Sequence, residues 1–451
     1  MTHSSNPIAQ MWLDFEALPV EAIDLSPVAI DEAVRLIADM PNEQRQWQTY
    51  LNALALFGFE QWLAERDAQI AIDRQHCSLF DPQMNNVIEA VCHLKVNQFK
   101  LCLITTGSLA DEEVTLPRAV VDLPEFAHHF YVLVEVQEEQ EIAVVRGFLS
   151  YNQLMERQAR ANIQADDDWT YQFPSAWFEQ TPDRLLLNLR CLDNSAIPLP
   201  AVPNHRLTQL SRMRSQLETL LPQLDSPNRQ LWEVLTWEQG TAILTSRELV
   251  NWLYQLQTQE SPGLSANLTN YLSDLLRLLT QQAMNVGRWL WDELDELAQE
   301  LSWQLLPSVA PVAAFRSPKE EFESIVRSLQ HKSIDISPQA RGAYRNLHLA
   351  GIPLRLYALT WPLLSDSIPE WTLLLILGTP SETPLPPGLK LRISDQTGIL
   401  VEQAMDRGEQ NSYFFTSVVG TWDEKFLATV SLAGGIEETL PPFSFALERV
   451  R

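Results

Sequence analysis

Glycine is scarce in this chain, with only 15 among 451 residues. None of them falls as Gly-x-Gly-x-x-Gly or in the phosphate-cradling pattern that ends in Gly-Lys-Ser/Thr, so nucleotide binding by those routes is excluded. Cysteine is scarcer still. Cys77, Cys92, Cys102 and Cys191 are too few for the disulfide framework of a small secreted domain. Met1 to Asp14 is polar apart from one Met-Trp-Leu cluster and lacks the charged-then-apolar order of a leader. A cytoplasmic protein with free thiols is the expectation. Long apolar runs are missing too. The longest candidate, Tyr271 to Leu306, is interrupted by Asp274, Arg277, Arg288, Asp292 and Glu293, so no membrane span is predicted. Positive charge is short as well, with 32 basic residues against 58 acidic and a net charge of −26. Residues 1–200 hold 30 acidic and 12 basic side chains, which makes the N-terminal part the strongly acidic one. Such a field repels nucleic-acid phosphate and anionic lipid and attracts a basic protein surface.

The remaining composition is that of a globular protein, 45% hydrophobic and 20% charged, with 14 tryptophans. Ser26-Pro27 ahead of VAIDEAVRLIADM reads as a capped helix, since serine caps and proline is tolerated in the first turn. A second helix over Asn42–Arg66 places Trp47, Tyr50, Leu51, Leu54, Phe57 and Leu63 on one stripe. The pattern then turns to strands. Val87 to Leu149 contains VIEAVCHL, FKLCLITTG, FYVLVEV and IAVVRGFL between polar turns, which predicts an antiparallel meander, and RLLLNLRCL (Arg184–Leu192) a further strand. Three prolines in Ala196–Asn204 mark a linker or an extended crossing.

From His205 to Pro307 the reading is helical, ending in a long segment from Asn270 whose leucines and tryptophans run to Leu301 with a break or close contact at Gly287. A short helix over Pro318–Gln330 follows. Seven short turn-bounded runs then reach the C-terminus, the pattern of a β-sandwich. The predicted class is α+β, with an acidic α+β domain over 1–200, a helical region over 201–315 and a β-sandwich-like domain over 316–451.

FYVLVEVQEEQEIAVVRGFLSYNQL (Phe130–Leu154), NVGRWLWDEL (Asn285–Leu294), LPPGLKLRISDQTG (Leu385–Gly398) and VVGTWDEKFLATVSL (Val418–Leu432) resemble the cyanobacterial domain-of-unknown-function family 1822. The resemblance spans roughly residues 15 to 449. It implies a regulatory or adaptor role, in transcription or stress signalling, through genes that lie near alternative sigma factors and caspase-like proteins. It carries over no functional residues.

Candidate chemistry is thin. His76, Cys77, Cys92, His93 and Cys102, with His128 and His129, contain metal-binding residue types. Their adjacent His-Cys pairs, however, cannot readily aim both side chains at one ion, so no metal and no cofactor is predicted. Asp166-Asp167-Asp168 reads as a solvated turn rather than a cation site, and Asp395 as a turn aspartate. No Gly-x-Ser-x-Gly elbow is present, and a histidine pair at 128–129 without a nucleophile is structural. Arg341–Leu349 is a short basic and aromatic stretch. The acidic turn between two strong strands, with Glu138, Glu139 and Glu141, is the candidate docking knob for a basic partner.

These readings favour a non-enzymatic cytoplasmic interaction protein, a regulator or adaptor that binds a protein partner, with the oligomeric state left open. The rivals are an enzyme with an unrecognised active site and a carbohydrate-binding sandwich presenting Trp361, Trp371 and Trp422 to sugar rings.

Overall fold

In the computed structural model of the chain, residues 21–38, 40–107, 112–258, 262–306, 336–363, 368–380, 383–405, 411–433 and 435–447 are described. They group into two units. The first takes in Met1–Arg206 and Thr219–Glu260, the second Leu207–Glu218 and Ser261–Arg451.

In the first unit a short strand, β1 (Ile23–Asp24), leads into α1 (Pro27–Ile37), where the Ser26 hydroxyl accepts from the Ala29 N–H at 3.2 Å. That is the start the sequence predicts. Asn42 caps α2 (Glu43–Arg66) in the same manner. The single stripe expected on α2 is a correction: Trp47 is 57% exposed, while residues 49–59 are all buried. The helix lies on a sheet and beside α1, so its central turns need apolar or small residues all round, and Ala53, Ala55, Leu56 and Phe59 supply them.

The sheet is built from β2 (Ile72–Asp73), β3 (Val91–Val96), β4 (Phe99–Thr106), β6 (Phe130–Gln137) and β7 (Ile142–Ser150), in the order β1-β7-β6-β4-β3-β2. Between these lie α3 (Pro82–Asn85), β5 (Glu113–Pro117) and α4 (Arg118–Asp122). The hairpins β3–β4 and β6–β7 are antiparallel as expected, but β4 and β6 run parallel, with Leu101 opposite Phe130. The meander is therefore interrupted. Between β4 and β6 the chain has the dozen or more residues a parallel crossover needs, and β5 leaves the sheet to pair with β8 (Thr170–Pro174) beyond α5 (Tyr151–Ala161).

The strand predicted over Arg184–Leu192 is instead α6 (Pro182–Cys191), in which Pro182 sits in the first turn and Leu185 and Leu189 are buried four residues apart. Its run of leucines gave no period by which to tell strand from helix. Of the helices expected in the middle of the sequence, α7 (Arg206–Leu220) falls almost wholly in the second unit, and α8 (Trp237–Leu244) and α9 (Arg247–Thr258) in the first.

In the second unit, α10 (Pro262–Thr280) ends well before Leu301 and the expected continuous segment breaks up. After it come β9 (Met284–Asn285), a 3-10 turn over Val286–Trp291 and α11 (Glu296–Glu300). Gly287 is the close contact. A Cβ there would stand 2.6 Å from the Ala446 carbonyl oxygen, so the break is an approach of two backbones rather than of two helices.

One sheet holds β10 (Gln304–Leu305), β11 (Arg341–Leu349), β12 (Ile352–Leu363), β13 (Glu370–Gly378) and β16 (Tyr413–Thr421). The other holds β15 (Ile399–Ala404), β14 (Lys390–Ser394), β17 (Leu427–Leu432) and β18 (Ile436–Thr439). The basic stretch at 341–349 is thus a strand, and among the described residues of the last predicted run only β19 (Phe443–Ser444) is a strand, pairing with β9. Leu373, Leu375 and Leu377 of β13 share a core with Leu391 and Ile393 of β14 and Ala428 and Val430 of β17. That shared core makes the two sheets a sandwich. Leu374 and Ile376 pack on the opposite face of β13 with Tyr357 and Trp361, which explains why its sequence shows no polar alternation. The helix predicted over Pro318–Gln330 lies outside the described residues. Among the described residues no helix is long and apolar enough to cross a membrane.

Candidate functional site

Arg45 stands in the first turn of α2 and is only 5% exposed. Its Nη1 donates to the Asn86 carbonyl at 2.6 Å and its Nη2 to Gln230 Oε1 at 2.5 Å. Nε lies 3.3 Å from a carboxylate oxygen of Glu89, yet is not aligned to donate to it. Burial presses the Arg45 pKa below the usual arginine value, and the Glu89 charge opposes that shift. The network continues as Asn86 Nδ2 donates to Gln257 Oε1 at 2.7 Å, so α2, the segment after α3 and α9 are tied together around one buried cation.

Three tryptophans surround this point. Trp169 ends the turn that Asp166-Asp167-Asp168 forms, where the Asp166 N–H donates to the Thr170 carbonyl at 2.8 Å. Its backbone is left-handed, with φ of 60°. The indole lies against α8, edge-to-face with Trp237 at 5.2 Å between centroids. Only glycine fits beneath it, because a Cβ on Gly240 would fall 2.0 Å from the Trp169 ring. Arg118 covers the Trp237 face at 4.4 Å and pairs with Asp122 at 2.8 Å. Tyr171 donates to the same Asp122 at 3.0 Å, and burial, aided by that carboxylate, pushes its pKa up to about 12.

Trp169, Trp232 and Trp237, each partly buried, line a cavity of about 60 Å³ together with Arg45, Glu89 and Leu231. A second cavity of about 240 Å³ adjoins it and shares Glu89, Pro117 and Thr170. Its lining is polar, with Gln48, Thr105, Thr106, Glu113 and Thr115. Each is smaller than the roughly 300–1,000 Å³ of an ordinary small-molecule site, and fits a single side chain better than a cofactor. Neither lining contains histidine, cysteine, serine or lysine.

Of the candidate residues singled out from sequence, Asp168 lines the tryptophan cavity and the others line neither cavity. Glu138 and Glu139 form a 3-10 turn between β6 and β7, Glu141 is left-handed at φ 55°, and none of the three lines either cavity. Burial first, and then Glu138 and Glu141, raise the pKa of Tyr50 on α2. His93, at a bulge in β3, donates its N–H to His128 Nε2 at 2.9 Å, and burial lowers the pKa of both rings, that of His93 to about 4. Cys77, Cys92 and Cys102 are buried, and burial pushes the Cys77 thiol up to about 12. Among the described residues no three His, Cys, Asp or Glu side chains are placed to hold a metal ion.

Asp168 Oδ1 accepts from the Thr170 hydroxyl at 2.7 Å, and Asp395 Oδ1 accepts from the Thr397 and Gly398 N–H groups, both turn roles. Trp371 is fully buried against Phe426 and Phe445, Trp361 is 7% exposed, and Trp422 packs on Phe445. They form no exposed coplanar row. Sequence reasoning missed Arg45, Trp169, Trp232 and Trp237. The one available signal was a tryptophan directly after three aspartates, where a core residue is out of place.

The family model described as "Protein of unknown function (DUF1822)" matches residues 23–441, nearly the whole chain. No curated protein and no solved structure matches it.

Proposed function

We propose that this chain, which belongs to the DUF1822 family of proteins of unknown function, is a non-enzymatic cytoplasmic interaction protein whose first unit takes a side chain of a protein partner into the tryptophan-lined cavity. One observation carries this reading. Trp169, Trp232 and Trp237 converge, each only partly buried, on a small opening floored by a held arginine, and interface hot spots are enriched in tryptophan and arginine set in small pockets. Arg45 is fixed by Asn86 and Glu89 from one segment and by Gln230 from another, so the lining is organised before anything binds. The linings carry the carboxylates of Glu89, Glu113 and Asp168, but no histidine, cysteine, serine or lysine stands with them, which supports binding over catalysis. A regulatory or adaptor role accords with such a module.

The test is photo-crosslinking in the native host. A photoreactive amino acid at Trp232 is expected to form an adduct with one protein species, absent with the same group at Leu400, an exposed site in the second unit. The adduct is expected to disappear in the Trp237→Ala background. Equal labelling from both positions, or none from Trp232, rejects the reading.

A further inference from the structure

We infer that the larger cavity is a subsite for a cationic side chain, a lysine or arginine near in sequence to the residue that enters the tryptophan cavity. The inference rests on the proposed binding role. Its first support is charge: the lining carries the carboxylates of Glu89 and Glu113 and no lysine or arginine. Glu89 leans on Arg45 from one side, yet its side chain is 43% exposed, so acceptor capacity remains beyond that contact.

The second support is independent of charge and comes from the hydroxyls. Thr105 Oγ1 donates to Asn52 Oδ1 at 2.8 Å, Thr115 Oγ1 to Gln172 Oε1 at 2.8 Å, and Thr170 Oγ1 to Asp168 Oδ1 at 2.7 Å. A hydroxyl has a single proton, and each of these is already committed. Toward an occupant the three threonines therefore present lone pairs alone. Asn52, which receives the Thr105 proton, is buried and also accepts from Gln48 Nε2 at 3.2 Å, so the arrangement is held from behind.

Two carboxylates and three hydroxyls that present lone pairs suit a group that only donates. An ammonium offers three N–H bonds and a guanidinium five, with no acceptor to be stranded. A carboxylate or phosphate would meet like charge and find no donors from these hydroxyls. A purely apolar side chain would strip water from the acceptors without replacing it. The adjoining cavity supplies the spacing. Because the two share Glu89, Pro117 and Thr170, their occupants are neighbours along one segment.

The experiment uses the full chain and a yeast-displayed library of random 12-residue peptides, followed by titration of a selected synthetic peptide. Selected sequences are expected to pair an apolar residue with a lysine or arginine at a fixed short spacing. Glu113→Gln is expected to weaken that peptide by about three- to tenfold, and to leave unchanged a peptide whose basic residue is norleucine. Glu113 is exposed at a strand end, so this variant does not threaten folding. Selected sequences with no basic position, or equal losses on the lysine and norleucine peptides, overturn the cationic subsite while the tryptophan reading stands. Failure to select any peptide whose binding depends on Trp232 overturns the reading beneath, and the subsite with it.

Discussion

The pair Arg45 and Glu89 shows how a single residue can organise a surface while costing stability if its partner is removed. A buried arginine with its countercharge removed keeps a desolvated cation, whereas replacing the cation itself removes that charge but strands the Asn86 carbonyl and Gln230 Oε1. Glu89→Gln is therefore expected to destabilise the first unit by about 1–3 kcal/mol in urea unfolding, less than for a fully buried pair because Glu89 is 43% exposed. Arg45→Met should cost less in that background than in the wild type, because the stranded acceptors are common to both and only the charge pair differs. Equal costs in the two backgrounds would mean the charge itself is not what is costly. Gly240→Ala tests the other half of the site. The added Cβ, 2.0 Å from the Trp169 ring, must move the indole, with an expected cost of about 1–3 kcal/mol and a change in tryptophan fluorescence. A variant with wild-type stability and emission would show that the ring is not held there.

The reason the sequence did not reveal this site lies in distance along the chain. Arg45 meets Asn86 and Gln230, partners 41 and 185 residues away, and no local period encodes such a meeting. Capping at Ser26 was legible because a cap is settled within three residues.

At the scale of elements, the strands β3, β4 and β6 join around histidines that must stay neutral. His128 Nε2 accepts from the His93 N–H at 2.9 Å and His129 Nδ1 accepts from the Lys100 N–H at 2.8 Å, roles an imidazolium cannot fill. Burial lowers the pKa of His93, His128 and His129 below the usual value near 6.5, that of His93 to about 4. Between those limits the unfolded chain binds more protons than the folded one. Stability from this source is complete above about pH 6.5 and falls as the pH drops toward 4. The thermal midpoint of the first unit is expected to decline across that window, before most carboxylates titrate. His129→Asn, which keeps an acceptor that does not titrate, should make the slope shallower. An unchanged slope would place the acid sensitivity elsewhere. The same strands show what a sequence leaves out. The hairpin β6–β7 announces itself through two apolar runs around an acidic turn, but the parallel pairing of β4 with β6 depends on where residues 107–129 carry the chain. On the other side, α6 was misread because consecutive leucines satisfy both periods until Leu185 and Leu189 are seen to share a buried face.

For the molecule as a whole, the net charge of −26 acts at two ranges. Glu138, Glu139 and Glu141 project in a turn that lines neither cavity, so their charge works through solvent, over a Debye length of roughly 8 Å at physiological salt. Glu113 lines the polar cavity and acts in contact. Charges outside the contact steer the encounter and change the association rate, whereas charges inside it hold the complex and change dissociation. The combined variant Glu138→Gln, Glu139→Gln and Glu141→Asn is therefore expected to slow association of a basic peptide about two- to fivefold at low salt, with dissociation unchanged. Asparagine is chosen at 141 because the backbone there is left-handed at φ 55°, which asparagine tolerates. Raising the salt to about 0.5 M should erase the difference between this variant and the wild type, since screening removes what the substitutions removed. Glu113→Gln should show the converse in stopped-flow kinetics, faster dissociation with little change in association. Faster dissociation in the turn variant would instead put Glu138, Glu139 and Glu141 inside the interface and extend the docking surface from the cavities to the β6–β7 hairpin.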